Sequence, residues 1–473
     1  MKDFQMGYNV SNDDREGLGA AIMELRRTIY DELVKWKEKN TGRVLEVEGA
    51  RQVGKTYILR KFARENFSHV IYISMADVSG NQFIQCLDKA EEWEPGMPRK
   101  EETIHQALQL YDSEFTDDKN TVILIDEIQE SSRVYNLIRV LARNFDCYVI
   151  VTGSYLGRLL DKEFFLPAGD LDSLTMETLT FEEFADAFGK GELYRHISLY
   201  GQSDREAYQE LHKYYDIYQR IGGYPAVVNT YLETESLEEC ESVLWRLMSL
   251  FVNESKRYFT EIVDVDVFEK LFNGIAITMI REKLGVRDLV EEISKIVYQS
   301  ESGRITKKMM NHAISWLQAS HIIGYAAKAV DCDFLNIKEN SRFYFLDMGI
   351  AHYFLSQTGV EDDVMKGILA ENFVYLAIRR HLKKDIAGSE PWFGYYEKTK
   401  GELDFFVRSK RNHKNYGVEV KSTDAQAKTA RALYAAGKLD KLYYLKGESY
   451  GGIAEDENVV TVPLYLADRI RFE

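Results

Sequence analysis

The sequence predicts an α/β multidomain protein: a doubly wound parallel sheet first, a helical middle, then a smaller mixed α/β unit. Three observations carry this. A strand-like run, Val44–Val47, feeds a glycine-bracketed loop that opens a helix, "VLEVEGARQVGKTYILRKFA". The apolar runs "HVIYIS", "TVILIDEIQE" and "CYVIVTGS" recur with helical patterns between them, the alternation of a parallel sheet covered on both faces. Further on, "GELDFFVRSKRNHKNYGVEVKS" reads as two period-two strands around a basic turn, followed by a helical stretch and the strand "KLYYLKG". A chain of 473 residues exceeds one core. At about 100–200 residues per domain it holds roughly three.

The first element has specific chemistry. Gly49, Ala50, Arg51, Gln52, Val53, Gly54, Lys55 and Thr56 fit G-x-x-x-x-G-K-[ST] in the strand–loop–helix setting that motif needs. In such a P-loop the backbone N–H groups curl around the β- and γ-phosphates of ATP at the positive end of the next helix. Lys55 then neutralises phosphate charge and Thr56 offers its hydroxyl to Mg²⁺. The run Val122–Ile125 ends in Asp126-Glu127, which suits Asp126 to the metal shell and Glu127 to polarising the attacking water. The next run ends in Thr152-Gly153-Ser154, where a hydroxyl senses the γ-phosphate or holds the water. The sequence does not separate Thr152 from Ser154 as that sensor.

From Lys190 to Ile262 the pattern is helical and rich in tyrosine, broken by "RIGGYPAVV". Gly222-Gly223 closes one helix and Pro225 opens the next, a hinge or cap that fits a helical lid over the nucleotide or, equally, an aromatic helical surface without ligand contact. Residues 263–348 read as a winged-helix-like domain. A helix carrying Met309, Ala313 and Leu317 in register leads to a short apolar strand, then to two strands around the polar turn Lys338–Ser341. Arg304, Lys307 and Lys308 give its candidate recognition helix a modest basic edge toward DNA, with a structural connector as the favoured reading.

The last unit is predicted to start with a helix over about Asp363–Leu382, with Val364, Ile368, Tyr375 and Ile378 on one stripe. Glu371 falls on that stripe, where a carboxylate is costly unless paired, protonated or metal-bound. In the hairpin, Leu403, Phe405 and Val407 face one way, and Glu402, Asp404 and Phe406 the other. Tyr416, Val418 and Val420 oppose Gly417, Glu419 and Lys421. Alternation alone fits a solvated hairpin equally well. The combination says more: an Asp, 14 intervening residues, then Glu-x-Lys on the partner strand is the pattern of PD-(D/E)XK nucleases, commonly completed by an upstream helical Glu. Glu371, Asp404 and Glu419 would supply hard oxygen ligands to Mg²⁺, with Mn²⁺ as the second candidate. The ion polarises phosphate and helps generate hydroxide, and Lys421 orients or deprotonates that water. The basic turn Arg408–Lys414, with Lys398 and Lys400, offers charge to phosphates.

The segments "RTIYDELVKWKE", "GARQVGKT", "ILIDEIQE", "VTGSYLGRLL", "TLTFEEFADAF" and "IGGYPAVV" resemble the prokaryotic AAA-type ATPases that carry a C-terminal PD-(D/E)XK nuclease-like domain. The resemblance runs from about Arg27 to about Leu439. It implies a restriction-endonuclease-like fold at the end of the chain and the same four nuclease-like positions. The expected order is a lead (1–26), a P-loop AAA-type core (27–189), the lid (190–262), the winged-helix-like domain (263–348) and the nuclease-like domain (349–473). One departure stands out. The family's Gly-Arg pair becomes "AGDLDSLT" here, with Asp170 in the arginine's place. If that arginine serves a neighbour's nucleotide in a homo-oligomer, Arg139, Arg143 and Arg158 are the unranked substitutes.

Composition bounds the setting. The start is polar and acidic, no apolar run approaches the roughly 20 residues of a membrane helix, and Cys86, Cys147, Cys240 and Cys332 form no paired spacing. A cytoplasmic protein without a membrane partner is the expectation. The formal net charge of −16 argues against coating nucleic acid by bulk electrostatics. Residues 361–473 hold 19 Lys and Arg against 18 Asp and Glu, so the C-terminal quarter is the part able to approach DNA. The expected function is a Mg-dependent ATPase regulating a metal-dependent DNA nuclease-like domain. The competing expectation is an ATP-switched regulatory or interaction protein whose nuclease fold is inactive.

Overall fold

The computed structural model describes residues 24–92, 100–153, 164, 169–258, 266–283, 307–333, 337–385, 390–421 and 427–473. The first sheet comprises β1 (Val44–Glu48), β2 (His69–Ser74), β3 (Thr121–Asp126), β4 (Tyr148–Thr152) and β5 (Leu171–Thr175). Their order is β2-β3-β4-β1-β5 and every pairing is parallel. β3 is buried along its whole length, as a central parallel strand must be. Leu45, Val47, Leu124 and Ile150 pack with Ile58, Leu59 and Phe62 of the helix Lys55–Asn66. Ile71, Ile73, Ile123, Ile125 and Val149 form the other layer, with Phe83, Leu87 and Ile138. Four of the five strands follow from apolar runs. β5 does not: "LDSLT" is an edge strand, half-buried, with only two apolar residues.

The helices Arg205–Ile221 and Pro225–Thr234 meet at Gly222-Gly223 as the sequence predicts. Packing makes this pair a junction as well as a cap. Gly223 donates from its N–H to Asp347 Oδ2 at 2.8 Å, and its carbonyl accepts from Leu179 N at 2.7 Å. A Cβ on Gly223 would sit 2.2 Å from the Leu179 carbonyl oxygen. The segment at Leu179, the glycine pair and the start of the helix Met348–Ser356 therefore meet with no room for a side chain on Gly223.

The second sheet has eight strands: β6 (Ile323–Val330), β7 (Ile337–Phe345), β8 (Trp392–Tyr396), β9 (Gly401–Arg408), β10 (Asn415–Lys421), β11 (Lys441–Lys446), β12 (Gly452–Ile453) and β13 (Val459–Pro463). The order is β12-β13-β11-β10-β9-β8-β6-β7. Two expectations for residues 263–348 change here. β7 runs unbroken through Lys338–Ser341, so the reversal falls between Val330 and Ile337 instead. The β6–β7 hairpin is also not a free wing, because β6 pairs in parallel with β8 and makes the hairpin an edge of the C-terminal sheet. The sheet thus crosses the boundary expected at 348/349. Arg304 lies outside the described residues, as do the side chains of Lys307 and Lys308.

The helix Asp362–Asp385 is buried on nearly every side from Ile368 to Arg379, rather than along one stripe. Such a helix is a core element, not a surface one. Asn372 fixes it to the end of β7, accepting from Phe345 N and donating to Phe345 O, both at 3.0 Å. Its far end reaches the segment just after β5, where Arg379 meets Glu177 at 2.7 Å, and the end of the chain, where Arg380 holds Asp468.

The glycine junction gives a direct test. Gly223→Ala should cost roughly 2–4 kcal/mol, because backbone on both sides must move. Gly367→Ala, where an added Cβ meets nothing within 4 Å in a helix, should be neutral or slightly stabilising. Thermal melting of the two variants reads the difference.

Candidate functional sites

The first centre lies at the C-terminal ends of β1, β3 and β4, where an open parallel sheet presents its ligand crevice. The loop Gly49–Gly54 leaves β1 and turns into the helix Lys55–Asn66. Gly49 is required there, since a Cβ would meet the Met176 carbonyl oxygen at 2.1 Å. Lys55 Nζ donates to the carbonyls of Gly49 and Ala50, both at 2.8 Å, which holds the ammonium over the loop. Thr56 Oγ1 donates to Asp126 Oδ2 at 2.6 Å, so hydroxyl and carboxylate stand as neighbouring ligands of one shell would. These two residues fit a Mg²⁺ ion bound with ATP. Asp126 also accepts from Tyr72 Oη and from Glu127 N, and burial raises its pKa above the usual carboxylate value. Glu127 adopts φ 49°, a left-handed conformation unusual for a non-glycine residue, and its carboxylate accepts from Gln129 Nε2 at 2.5 Å.

Arg27, which the motifs do not mark, braces this loop from below. It is buried, and it donates to Val53 O at 2.8 Å and to Glu177 O at 2.5 Å, with Nε 3.3 Å from Glu183 Oε2. Glu183 in turn completes a capping box with Thr180 and accepts from the N–H and hydroxyl of Thr28. The sequence signal was the Thr-x-x-Glu spacing in "TLTFEEF", which locates Glu183 but not its cation.

Thr152 stands beside Val47 across the β4–β1 pairing and gives its proton to Val47 O at 2.7 Å. That hydroxyl is thereby committed as a donor within the sheet. Ser154 and Arg158 lie outside the described residues. Asp170 accepts a bidentate pair from Arg143 at 2.9 and 3.1 Å, with Arg139 at 3.4 Å. Two of the three substitute arginines are thus turned onto the very residue that replaces the expected one. Hydrogen bonding to Arg143 holds Asp170 below the usual carboxylate range.

The second centre forms on β9 and β10. β9 carries a bulge, for Trp392 pairs with Phe406 while Gly394 pairs with Leu403, so Asp404 and Phe405 together oppose Phe393. The expected facing of β9 is therefore wrong beyond Leu403. Leu403 and Phe406 pack on the layer with Leu433 and Leu439, whereas Phe405 and Val407 pack on the layer with Tyr375 and Ile378. The bulge coincides with the end of the hairpin ladder at Phe405–Val418. Past that point Asp404 Oδ2 accepts from Val420 N at 2.7 Å, substituting a carboxylate for a strand partner.

Glu419 and Lys421 project to the same face, with Nζ 2.6 Å from Glu419 Oε1. The other oxygen, Glu419 Oε2, is buried and has no hydrogen-bond partner among the described residues. Burial first, then the nearby Asp404 carboxylate, pushes Glu419 up to about 8, against the pull of Lys421. An orphaned, desolvated carboxylate oxygen beside a second carboxylate fits a divalent cation.

Glu371 does not join them. The helix that carries it packs against Tyr416, Val418 and Val420, the face of β10 opposite Glu419. Its Oε1 accepts from Tyr344 Oη at 2.7 Å and from Arg342 Nη1 at 3.2 Å, and Arg342 Nη2 reaches Glu402 at 2.5 Å. The costly carboxylate on the apolar face is paired with Arg342 and Tyr344. Among the described residues no group of three or more His, Cys, Asp or Glu is arranged to hold a metal ion.

Comparison with known proteins divides the chain in three. Residues 41–185 match a family model described as an AAA domain. Residues 212–361 and 366–465 match two domains of unknown function, DUF8612 and DUF4143. An uncharacterized protein of Haemophilus influenzae is 20% identical over 382 residues, covering 75% of this chain and 78% of its own. Among solved structures, a Walker-type ATPase of Pyrococcus abyssi aligns at TM-score 0.44 and 15% identity, over 70% of this chain and 96% of its own. The ORC1 protein of Aeropyrum pernix, solved in complex with DNA, aligns at TM-score 0.31 and 13% identity, over 72% and 95%. The chain carries an AAA-type P-loop domain. No helix among the described residues is long and apolar enough to cross a membrane.

The division of the carboxylates has a measurable consequence. Glu371→Ala should act on stability, costing roughly 1–3 kcal/mol by removing one of the two carboxylates that hold buried Arg342. Asp404→Ala should instead weaken Mn²⁺ binding with little loss of melting temperature. Calorimetric Mn²⁺ titration and thermal melting of both variants separate the two roles.

Proposed function

We propose that the chain is a Mg-dependent ATPase whose nucleotide state controls a metal-dependent, DNA-cleaving C-terminal domain. The observation that carries the first half is the Thr56–Asp126 contact at 2.6 Å beneath Lys55, which ties the phosphate loop to the β3 carboxylate. Mg²⁺ would supply charge on the β- and γ-phosphates. Thr56 and Asp126 would hold it, Lys55 would exchange its two carbonyl partners for phosphate oxygens, and Glu127 would take the proton from the attacking water. Gln129 holds the Glu127 carboxylate in a fixed direction before substrate arrives.

The second half rests on Glu419 and Lys421, 2.6 Å apart, with the Asp404 carboxylate near enough to raise the Glu419 pKa. A divalent cation there would polarise a backbone phosphate. Asp404 and Glu419 would hold it, and Lys421 would release Glu419 to orient the hydrolytic water. The basic turn after β9 and the near-neutral charge of residues 361–473 suit this end of the chain to DNA.

The competing reading, a nuclease fold kept as a binding surface, is favoured by one observation. The helical glutamate expected as third ligand is neutralised by Arg342 and Tyr344, leaving two carboxylates.

Two experiments decide. Lys55→Ala should lose both ATP binding and turnover, while Glu127→Gln should keep binding and lose turnover about 100-fold or more. ATP binding that survives Lys55→Ala undiminished would sink the ATPase assignment. Wild type with Mg²⁺ or Mn²⁺, with and without ATP, should cleave linear, circular or branched DNA, and Lys421→Ala should not. Intact DNA in every arm would leave the binding-surface reading standing.

A further inference from the structure

Asp126 is held by more than the helix that follows the phosphate loop. β2 is the edge strand of the first sheet, and its Tyr72 stands opposite Leu124 of β3, two residues short of Asp126. Two residues of strand advance roughly 7 Å. Only a long side chain ending in a donor crosses that interval. Tyr72 does so, and its Oη donates to Asp126 Oδ2 at 3.1 Å. The same oxygen accepts from Thr56 Oγ1 at 2.6 Å, and Oδ1 accepts from Glu127 N at 2.9 Å. Donors from the helix, from β2 and from the residue after β3 together fix the rotation of one carboxylate.

Tyr72 is fixed in its turn. Its carbonyl accepts from Tyr111 Oη at 3.0 Å, which ties the strand to the helix Lys100–Tyr111. Its ring packs against the layer beneath the helix Lys55–Asn66 and lies under Arg60, whose guanidinium carbon is 4.9 Å from the ring centroid. Arg60 stands four residues after Thr56 on that helix, so the two reach β2 and β3 from one helix face. A phenol keeps its proton at neutral pH, so toward a carboxylate the Tyr72 hydroxyl is a donor.

Mg²⁺ demands oxygens in near-octahedral directions, and a carboxylate free to turn about its last bond meets that demand only part of the time. Hydrogen bonds behind a ligand supply the missing direction.

We propose that Tyr72 is a positioning residue of the ATPase centre, which orients the Asp126 carboxylate for the Mg²⁺ that arrives with ATP. The inference rests on the ATPase reading above and extends it from the loop and β3 to the edge strand. Tyr72 acts through Asp126, and Arg60 acts through the Tyr72 ring.

The test uses the full chain carrying Glu127→Gln, which on that reading binds ATP without turning it over. ATP is titrated by calorimetry, once in EDTA and once with excess Mg²⁺, and the ratio of the two dissociation constants measures what the metal contributes. Tyr72→Phe keeps the ring under Arg60 and removes only the oxygen. It should leave the affinity in EDTA unchanged and reduce the metal's contribution about tenfold. Tyr111→Phe removes a hydroxyl bonded to the same residue but none from Asp126. It should lower the melting temperature to a similar degree and leave the metal's contribution intact. With Glu127 restored, Tyr72→Phe should raise the Mg²⁺ concentration for half-maximal turnover about tenfold, and saturating Mg²⁺ should recover the rate. An unchanged metal contribution in Tyr72→Phe, or an equal loss in Tyr111→Phe, overturns the positioning role and leaves the ATPase reading standing. A wild-type chain that binds no ATP in either buffer removes the ATPase reading itself, and this role with it.

Discussion

The structure turns on Glu177, one carboxylate just beyond β5. Its side chain faces Arg379, Arg380 and Lys383 of the long C-terminal helix, and the guanidinium groups hold it ionised despite partial burial. Its backbone carbonyl accepts from Arg27, whose other nitrogen holds Val53 in the phosphate loop. One residue therefore touches the nucleotide end and the C-terminal end of the chain at once. Buried ion pairs of this kind gain little net stability over apolar packing, but losing one partner is expensive. They act as a specification of geometry: the long helix has a single position in which Arg379 and Arg380 are both paired.

From that helix the order passes into the second sheet. Asn372 pins the end of β7, and Glu371 fixes Arg342, which fixes Glu402 two residues ahead of Asp404. A contiguous set of packed and ion-paired groups thus joins the phosphate loop to the bulge on β9. Contiguity is a physical condition for coupling and not a demonstration of it. It does explain why Glu371 sits where a metal ligand was expected. The same burial that makes a carboxylate costly makes it a strong anchor for a cation.

How much of this the sequence revealed depends on range. The phosphate loop, the Asp126-Glu127 pair, the helix break at Gly222-Gly223 and the strands of the hairpin are local, and local spacing exposed them. β5 was hidden because an edge strand needs few apolar residues. Arg27 and Arg342 were hidden because their meaning lies in partners more than 20 residues away. The helix Asp362–Asp385 read as one stripe because period 3.6 detects a boundary between wet and dry faces, and from Ile368 to Arg379 it has almost no wet face. Facing on β9 failed for a different reason. Period two is a counting rule, and a single extra residue resets the count.

That extra residue bears on how this centre would be inherited. Its identity matters less than its presence, since the bulge falls where the hairpin ladder ends and the Asp404 carboxylate takes up Val420 N. A lineage could replace Phe405 many times and keep the arrangement, yet lose it by deleting one codon while every charged residue survives. Alignments that score residues and treat a single gap as cheap would judge such a descendant intact. The information for this centre is stored partly as length.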